Sequence, residues 1–316
     1  MDNSNNYQLK RLQADLKRLE SSDKITQQHK EKIFKFLDLV NAQGRSPATK
    51  RNIVWALMTI GEILGKPFED ATYDDIVRVV GAIENKYQSK KSKKALKAEI
   101  RRFYKWLRQS AEYPPEVSWI KLDSKLETET NVKPEDLLSD EEIDALAKAS
   151  LNPRDVALVY MLRESGCRVG ELLNLRIKHI KFDNKGIILH VPEGKSGRRR
   201  VRLCGKHTKE LLSWLDKHPY KNNPEAFVWI SFSGNSKNRQ LTYCGVEILL
   251  KRLGVKAGLG KWVGGDGRKI MGEYVGRPVN PHNFRHNRGN ELIVRKKIPI
   301  PIANKLMGWK PRIFQP

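Results

Sequence analysis

The stretch from Tyr113 to Leu138 constrains the fold most, because it separates two parts of the chain with different hydrophobic patterns. It opens with Tyr113-Pro114-Pro115, and proline both stops a helix and restricts the residue before it. The residues that follow are polar and aperiodic, which is typical of a linker between domains. We therefore predict a first domain over 1–113, a linker over 114–138 and a second domain over 139–316.

The first part of the chain shows helical periodicity throughout. Ser46-Pro47 has the form of an N-cap followed by proline at the first helical position, and Gly65 marks the end of the same helix. Apolar residues recur at spacings of three and four over five segments, which predicts a compact helical bundle. We expect helices over 7–20, 26–41, 48–64, 73–84 and 89–109.

The last of these helices is strongly basic. It carries nine Lys and Arg residues against the single Glu99, so it lacks the i,i+4 partners that a merely solubilising helix would use. A solvated face is the alternative interpretation. We predict that this helix binds the phosphate backbone of DNA through Lys90, Lys91, Lys93, Lys94, Lys97 and Arg101.

The charge of the whole chain also favours an anionic partner. Sixty Lys and Arg against 36 Asp and Glu give a formal charge of +24, and nucleic acid is the leading candidate, ahead of an anionic membrane surface. The chain has neither a long apolar run nor a signal-peptide core, so we expect a soluble, cytoplasmic protein associated with the nucleoid. The three cysteines form no C-x-x-C pair, which argues against a zinc site and a disulfide framework, and we expect no cofactor.

The second domain mixes helical and strand-like patterns. A capping box at Ser139 opens it, and the period changes to two around a turn at 183–186, which predicts a β-hairpin. The glycine-rich segment 254–280 is expected to be a flexible loop. We predict a fold that is mainly α with a small β-sheet, a helical bundle followed by a mixed α/β domain. Its helices should cover 143–149, 153–164, 167–175, 207–217, 242–253, 282–295 and 300–307, and its strands 180–182, 187–191 and 198–203.

Four side chains of this domain lie at helix starts or on a turn and suit a phosphate. His282 and Arg285 lie three apart on a first helical turn, a weak signal alone that also fits a solvated helix end. Arg168 and Arg285 could grip the non-bridging oxygens of one phosphodiester with bidentate guanidinium groups. Lys195, at the tip of a predicted turn, could protonate a departing 5′-oxygen, and His282 could move the proton of the nucleophile.

The order of these residues closely resembles that of the tyrosine recombinase (phage integrase) family. The first arginine box matches Ser165-Gly166-Cys167-Arg168-Val169-Gly170-Glu171-Leu172, and Lys195, Pro281-His282-Asn283-Phe284-Arg285-His286 and Leu306-Met307-Gly308-Trp309 follow in the family's order. Tryptophan, where most members have histidine, resembles the archaeal integrase variant. The resemblance implies a core-binding domain before a catalytic domain. It also implies five catalytic residues: Arg168, Lys195, His282, Arg285 and Trp309.

The resemblance further implies a reaction and its partners. A tyrosine attacks a phosphate of double-stranded DNA and forms a 3′-phosphotyrosyl intermediate, and the strand is then rejoined to a partner duplex. The family norm is a homotetramer on two duplexes. The basic strand after the predicted turn adds further candidate DNA contacts, namely Arg198, Arg199 and Arg200.

The sequence departs from the family at the nucleophile. That tyrosine follows the last box by nine or ten residues, whereas these 316 residues end at Pro316 and contain no tyrosine after Tyr274. We therefore expect a chain truncated before its nucleophile, one that binds DNA but cannot cleave it, and we do not expect Tyr243 or Tyr274 to substitute. The alternatives are a non-catalytic DNA-binding protein on the same fold and an enzyme similar to type IB topoisomerases.

Overall fold

The computed structural model describes residues 3–122, 134–192, 197–203, 205, 207–232, 234, 237–264 and 272–309. The chain divides into two compact units, Met1–Thr130 and Asn131–Pro316, and each has its own apolar core. Helices dominate, accompanied by two small antiparallel sheets, which confirms the predicted fold class. Among the described residues, no helix is long and apolar enough to cross a membrane.

The first unit contains the five predicted helices, with small shifts at their ends. Ser46 caps the third of them by accepting a hydrogen bond from the backbone N–H of Thr49 at 3.3 Å. Gly65 ends that helix at a φ of +72°, a left-handed conformation that favours glycine. The helices are α1 (Asn3–Ser21), α2 (Gln27–Ala42), α3 (Pro47–Leu64), α4 (Tyr73–Lys86), α5 (Lys90–Leu107) and the short α6 (Pro115–Ser118).

The first unit continues beyond Tyr113, where the sequence placed its end. Val117 and Ile120 are buried in the same core as the helices before them. Pro115 is the first residue of α6, a position where its missing N–H costs nothing. The proline pair stops one helix and starts another, so the predicted linker begins too early.

The second unit surrounds α8 (Pro153–Ser165), a helix buried on nearly every side. Its three-stranded sheet has β2 (Gly186–Val191) in the centre, where Leu189 pairs with both Ile180 and Val201. The elements are α7 (Asp140–Lys148), α8 (Pro153–Ser165), α9 (Val169–Leu173), β1 (Ile180–Asp183), β2 (Gly186–Val191), β3 (Arg199–Leu203), α10 (Thr208–Asp216), α11 (Tyr243–Lys256), β4 (Gly260–Val263), β5 (Glu273–Gly276), α12 (Pro281–Asn290), a π-helical turn (Glu291–Arg295) and α13 (Ile300–Met307).

The glycine-rich segment 254–280 is not simply a loop, and this part of the prediction was wrong. Strands β4 and β5 pair antiparallel and place Trp262 opposite Tyr274, with ring centroids 5.8 Å apart. A Cβ on Gly260 would lie 2.5 Å from the Tyr274 ring. Glycine here makes room for an aromatic ring, a role that composition alone does not reveal. Residues 265–271 lie outside the described part of the chain.

Candidate active site

Arg168 lies in the tight connection between α8 and α9. Gly166 ends α8 at a φ of +58°, and the chain turns so that Arg168 occupies the N-cap position of α9. Glu171 Oε2 accepts a hydrogen bond from the backbone N–H of Arg168 at 2.9 Å, and its Oε1 lies 3.3 Å from Arg168 Nη1. The Arg168 side chain is still 40% exposed. Its backbone is therefore held while part of its guanidinium group faces outward.

Arg285 is buried, with an exposed fraction of only 4%. It lies in the first turns of α12, a helix that Asn280 caps by accepting a hydrogen bond from the N–H of Asn283 at 3.1 Å. The Arg285 guanidinium donates hydrogen bonds to the backbone carbonyls of Gly166 and Met307. These two bonds tie α12 to the turn before α9 and to the end of α13.

His282 and His286 lie one turn apart on α12, with nearly perpendicular rings whose centroids are 4.4 Å apart. Burial lowers the pKa of His282, and the positive charges of Arg285 and Arg168 lower it further. Burial also lowers the pKa of His286, as do His282 and Arg285. Both imidazoles are therefore neutral at physiological pH, and a neutral His282 can accept a proton.

Trp309 follows α13 and packs against α12. Its ring occupies the space beside Gly289, where a Cβ would lie 2.5 Å from Trp309 Cη2. The Arg285 Cζ lies 5.8 Å from the centroid of the same ring. Trp309 thus supports the buried arginine from one side, a contact that requires glycine at position 289.

The fold brings Arg168, His282 and Arg285 together in one cleft of about 580 Å³. Glu171 and Tyr243 also line this cleft, although the sequence suggested no site role for Tyr243. Tyr243 is the first residue of α11 and directly follows the N-cap Thr242. An exposed aromatic residue at a capped helix start is the only signal that could have pointed to it.

Arg199, predicted as a DNA contact, has a mostly buried side chain. Its Nη2 donates to Glu171 Oε2 at 2.7 Å and lies 3.6 Å from Cys167 Sγ. Burial alone would raise the pKa of Glu171, but hydrogen bonds from Arg199 and from the Arg168 amide outweigh it and hold that pKa below its usual range. The two-residue period of β3 turns Arg199 inward and leaves Arg200 exposed, a pattern visible in the sequence.

The remaining predicted site residues lie in different settings. Lys195 falls in 193–196, outside the described residues, and Arg198 is exposed like Arg200. In α5 of the first unit, Lys90 and Lys91 are exposed. Within the described part of the chain, no group of three or more His, Cys, Asp or Glu side chains is placed to hold a metal ion.

Two lysines of α5 have an acidic partner that helix spacing could not predict. Lys93 Nζ lies 2.8 Å and Lys97 Nζ 2.5 Å from carboxylate oxygens of Glu84 on α4. Arg101, in turn, lies over the Tyr113 ring, with 3.9 Å between its Cζ and the centroid. Within α5 itself, Arg102 pairs with Glu99 at 2.8 Å across a spacing of three residues. The expectation that α5 lacks acidic partners therefore holds only for the i,i+4 spacing, a rule that ignores both other spacings and neighbouring helices.

Comparisons with known proteins show which family this chain resembles. Tyrosine recombinase XerA of Pyrococcus horikoshii is 28% identical over 191 residues, which cover 59% of this chain and 59% of that protein. A probable integrase/recombinase protein of Methanocaldococcus jannaschii is 22% identical over 95% of this chain and 87% of its own. The chain thus spans about three fifths of the length of the XerA relative.

Solved structures share the fold. A lambda integrase dimer bound to a COC′ core site superimposes with a TM-score of 0.64 at 17% identity, covering 90% of this chain and 74% of that one. A XerH site-specific recombinase bound to a palindromic difH substrate gives a TM-score of 0.62 at 17% identity, covering 97% and 90%. Residues 137–312 match the phage integrase family. The chain therefore belongs to the phage integrase family of tyrosine recombinases.

Proposed function

We propose that this chain is a site-specific DNA recombinase or integrase whose cleft binds one phosphodiester of duplex DNA. The supporting observation is the convergence of Arg168, His282 and Arg285 on one cleft, although the chain places the two arginines far apart. A phosphate under attack becomes five-coordinate and gains negative charge. Guanidinium donors that are already oriented stabilise that charge without reorganising.

His282 and Lys195 move protons in this proposal. The lowered pKa of His282 keeps its imidazole neutral and able to take the proton of an attacking hydroxyl. A bound phosphate then stabilises the imidazolium that results. Lys195 protonates the departing 5′-oxygen, a role that we assign from its place in the sequence pattern.

These 316 residues, by themselves, bind DNA without cleaving it. The sequence contains no tyrosine after Tyr274. Tyr243 lines the cleft, but burial raises the pKa of its phenol, and the carboxylate of Glu247 raises it further. Tyr243 also precedes the His282–Arg285 pair in the sequence, whereas the family's nucleophile follows the last box. We therefore assign Tyr243 no part in strand cleavage.

Duplex DNA is the proposed partner, and four protomers on two duplexes form the proposed synaptic assembly. The DNA partner is supported by the similar lambda integrase dimer, which is bound to a core site, and by the similar XerH, which is bound to its difH substrate. The number of protomers is assigned from the family resemblance alone. The formal charge of +24 favours the same partner through counterion release. A protein with this partner would associate with the nucleoid. A binding-only regulatory protein is the second candidate, favoured by the cleft, whose described lining contains no tyrosine other than Tyr243.

The test uses duplexes of randomised sequence that carry one nick, so that any cleaved strand is trapped. We expect a shifted complex on native gels, weakened by salt, and no covalent adduct on denaturing gels. A covalent adduct would disprove the binding-only claim, and its persistence in Tyr243→Phe would exclude Tyr243 as its origin. If the protein shifts none of the duplexes even at low salt, the proposed function itself is wrong.

A further inference from the structure

We propose that Arg199 is a positioning residue of the cleft, acting through Glu171 to hold Arg168 in the orientation that binds phosphate. The proposal rests on the phosphate-binding function proposed above. It assigns Arg199 a role different from the DNA contact that its place in a basic strand predicted.

The contacts form a short chain from a buried cation to a partly exposed one. Glu171 Oε2 lies 2.7 Å from Arg199 Nη2 and 2.9 Å from the Arg168 backbone nitrogen, while its Oε1 lies 3.3 Å from Arg168 Nη1. The Arg199 side chain is 10% exposed, against 40% for Arg168. Arg199 therefore reaches the cleft through the carboxylate and Arg168 faces it directly.

The charges of this trio explain why a second arginine matters. Glu171 and Arg168 alone would form a neutral pair, which would weaken the attraction of Arg168 for an anion. Arg199 adds a positive charge on the buried side, so the three residues together keep a net charge of +1 beside the cleft. Arg199 also holds the Glu171 carboxylate in place. The two oxygens of that carboxylate accept hydrogen bonds from the backbone and the side chain of Arg168.

Burial leaves part of the Arg199 guanidinium group without hydrogen bonds. Among the described residues, its Nε and Nη1 are buried without a hydrogen-bond partner. Such groups reduce folding stability, and departures from good packing are concentrated at functional sites. A purely structural role could be filled by well-packed apolar side chains in place of the whole Arg199–Glu171 pair.

Strand β3 supplies two matched controls for Arg199. Arg202 makes a bidentate ion pair with Asp183 at 2.7 and 2.6 Å on the exposed side of the same strand. Arg200 is exposed on that side too and is a proposed DNA contact. Variants of Arg202 therefore control for the loss of an ion pair on β3, and variants of Arg200 for the loss of a surface charge. Neither removes the Arg199–Glu171 contact.

The experiment is an amide-proton NMR titration of the 316-residue protein with inorganic phosphate, with the Arg168 amide as reporter. In the wild type we expect this amide to resonate downfield, because it donates to a carboxylate, and to shift as phosphate binds. Arg199→Gln should move the free Arg168 resonance upfield and weaken phosphate binding about tenfold. Arg199→Lys should recover part of both effects, and Arg202→Gln should change neither.

Glu171→Gln keeps the shape of the linking side chain and removes its charge. We expect it to move the Arg168 amide as Arg199→Gln does, and the double variant to add little, because both act through one carboxylate. Glu171→Gln also carries the test if Arg199→Gln does not fold. An unchanged Arg168 resonance and phosphate affinity in either variant would overturn the inference.

A DNA-binding measurement separates this inference from the function on which it rests. Arg200→Gln should reduce the slope of log K against log salt concentration by about 0.9, the value for one lost phosphate contact, whereas Arg199→Gln should leave that slope unchanged. An equal loss of slope in both would make Arg199 an ordinary DNA contact. If the wild type binds neither phosphate nor DNA, the proposed function fails instead.

Discussion

Two positively charged regions of this protein, helix α5 and the cleft of the second unit, hold their charges differently. On α5 the cations are mainly lysines on the helix surface, and Lys93 and Lys97 share one carboxylate from α4. In the cleft the cations are arginines, and Arg285 donates to two backbone carbonyls while nearly buried. A flexible ammonium group works in many orientations, whereas a bound guanidinium group is fixed. Anion binding should therefore depend on the number of charges on α5, whereas in the cleft it should depend on where each charge is held.

The largest expected effect is that of Arg285→Gln. The change leaves the carbonyls of Gly166 and Met307 without their donor, so we expect the second unit to lose about 2–4 kcal/mol of unfolding free energy. Phosphate binding should be lost as well. Lys90→Gln on α5 is the control and should change stability by less than about 0.5 kcal/mol. Urea denaturation measures the stability of each variant. Equal stability of the Arg285→Gln and Lys90→Gln variants would contradict the contrast between the cleft and α5.

Glycine to alanine changes test the same contrast in packing. Gly289→Ala places a methyl group against Trp309 and should cost about 1–3 kcal/mol, while displacing the ring from Arg285. Gly81→Ala, in α4 of the first unit, meets nothing within 4 Å and should stabilise the helix by up to about 1 kcal/mol. Thermal melting compares them. A Gly289→Ala protein that melts at or above the wild-type temperature would show that Trp309 is not tightly held.

Paired lysine variants of α5 should have smaller effects on stability. Lys90 and Lys91 are exposed, so changing both to Gln should lower the slope of log K for DNA against log salt by about 2, with stability unchanged. Changing Lys93 and Lys97 to Gln removes both partners of Glu84 and should cost about 1 kcal/mol or less, because these pairs are partly exposed. Filter binding over a series of salt concentrations measures the slope for DNA. An unchanged slope for the first pair would remove α5 from the DNA interface.

The smallest expected effect is a pH dependence of the cleft. The folded-state pKa values of His282 and His286 lie below their ordinary value, so on acidification the unfolded chain takes up protons first. The stability contributed by neutral imidazoles is therefore present above about pH 6.5 and is lost as the pH falls towards the folded values. The double variant with Gln at both positions should lose less stability than the wild type between pH 7.5 and 5.5. Equal losses would show that neither histidine is perturbed.

The helices were largely predictable because their signals are local. Helix α13 begins and ends at the predicted Ile300 and Met307, and Ser46 and Gly65 cap α3 as expected. The hairpin of β4 and β5 was missed because its strands are four residues each, set among glycines. A strand this short is recognisable only together with the strand that it pairs with. Gly260 on β4, for example, makes room for the ring of Tyr274, which lies on the partner strand β5.

The sequence predicted side chains that lie together, but not the contacts that hold them. The order of Arg168, His282, Arg285 and Trp309 in the sequence identified the residues, and the cleft confirms that the first three lie together. The inward turn of Arg199 was available from the period of β3, yet a run of three arginines suggested only a surface charge. Lys195 stays a prediction.

The sequence by itself determined the helices, their caps, the basic character of the chain and the order of the residues proposed to bind phosphate. Each of these depends on side-chain chemistry and on neighbours within a few positions. Only the tertiary structure decided which cations are fixed and by what. The carbonyl of Gly166 that holds Arg285 is 119 residues away, and the carboxylate that links Arg199 to Arg168 is 28 residues from Arg199. Such contacts arise when distant elements pack, and local sequence patterns contain no information about them.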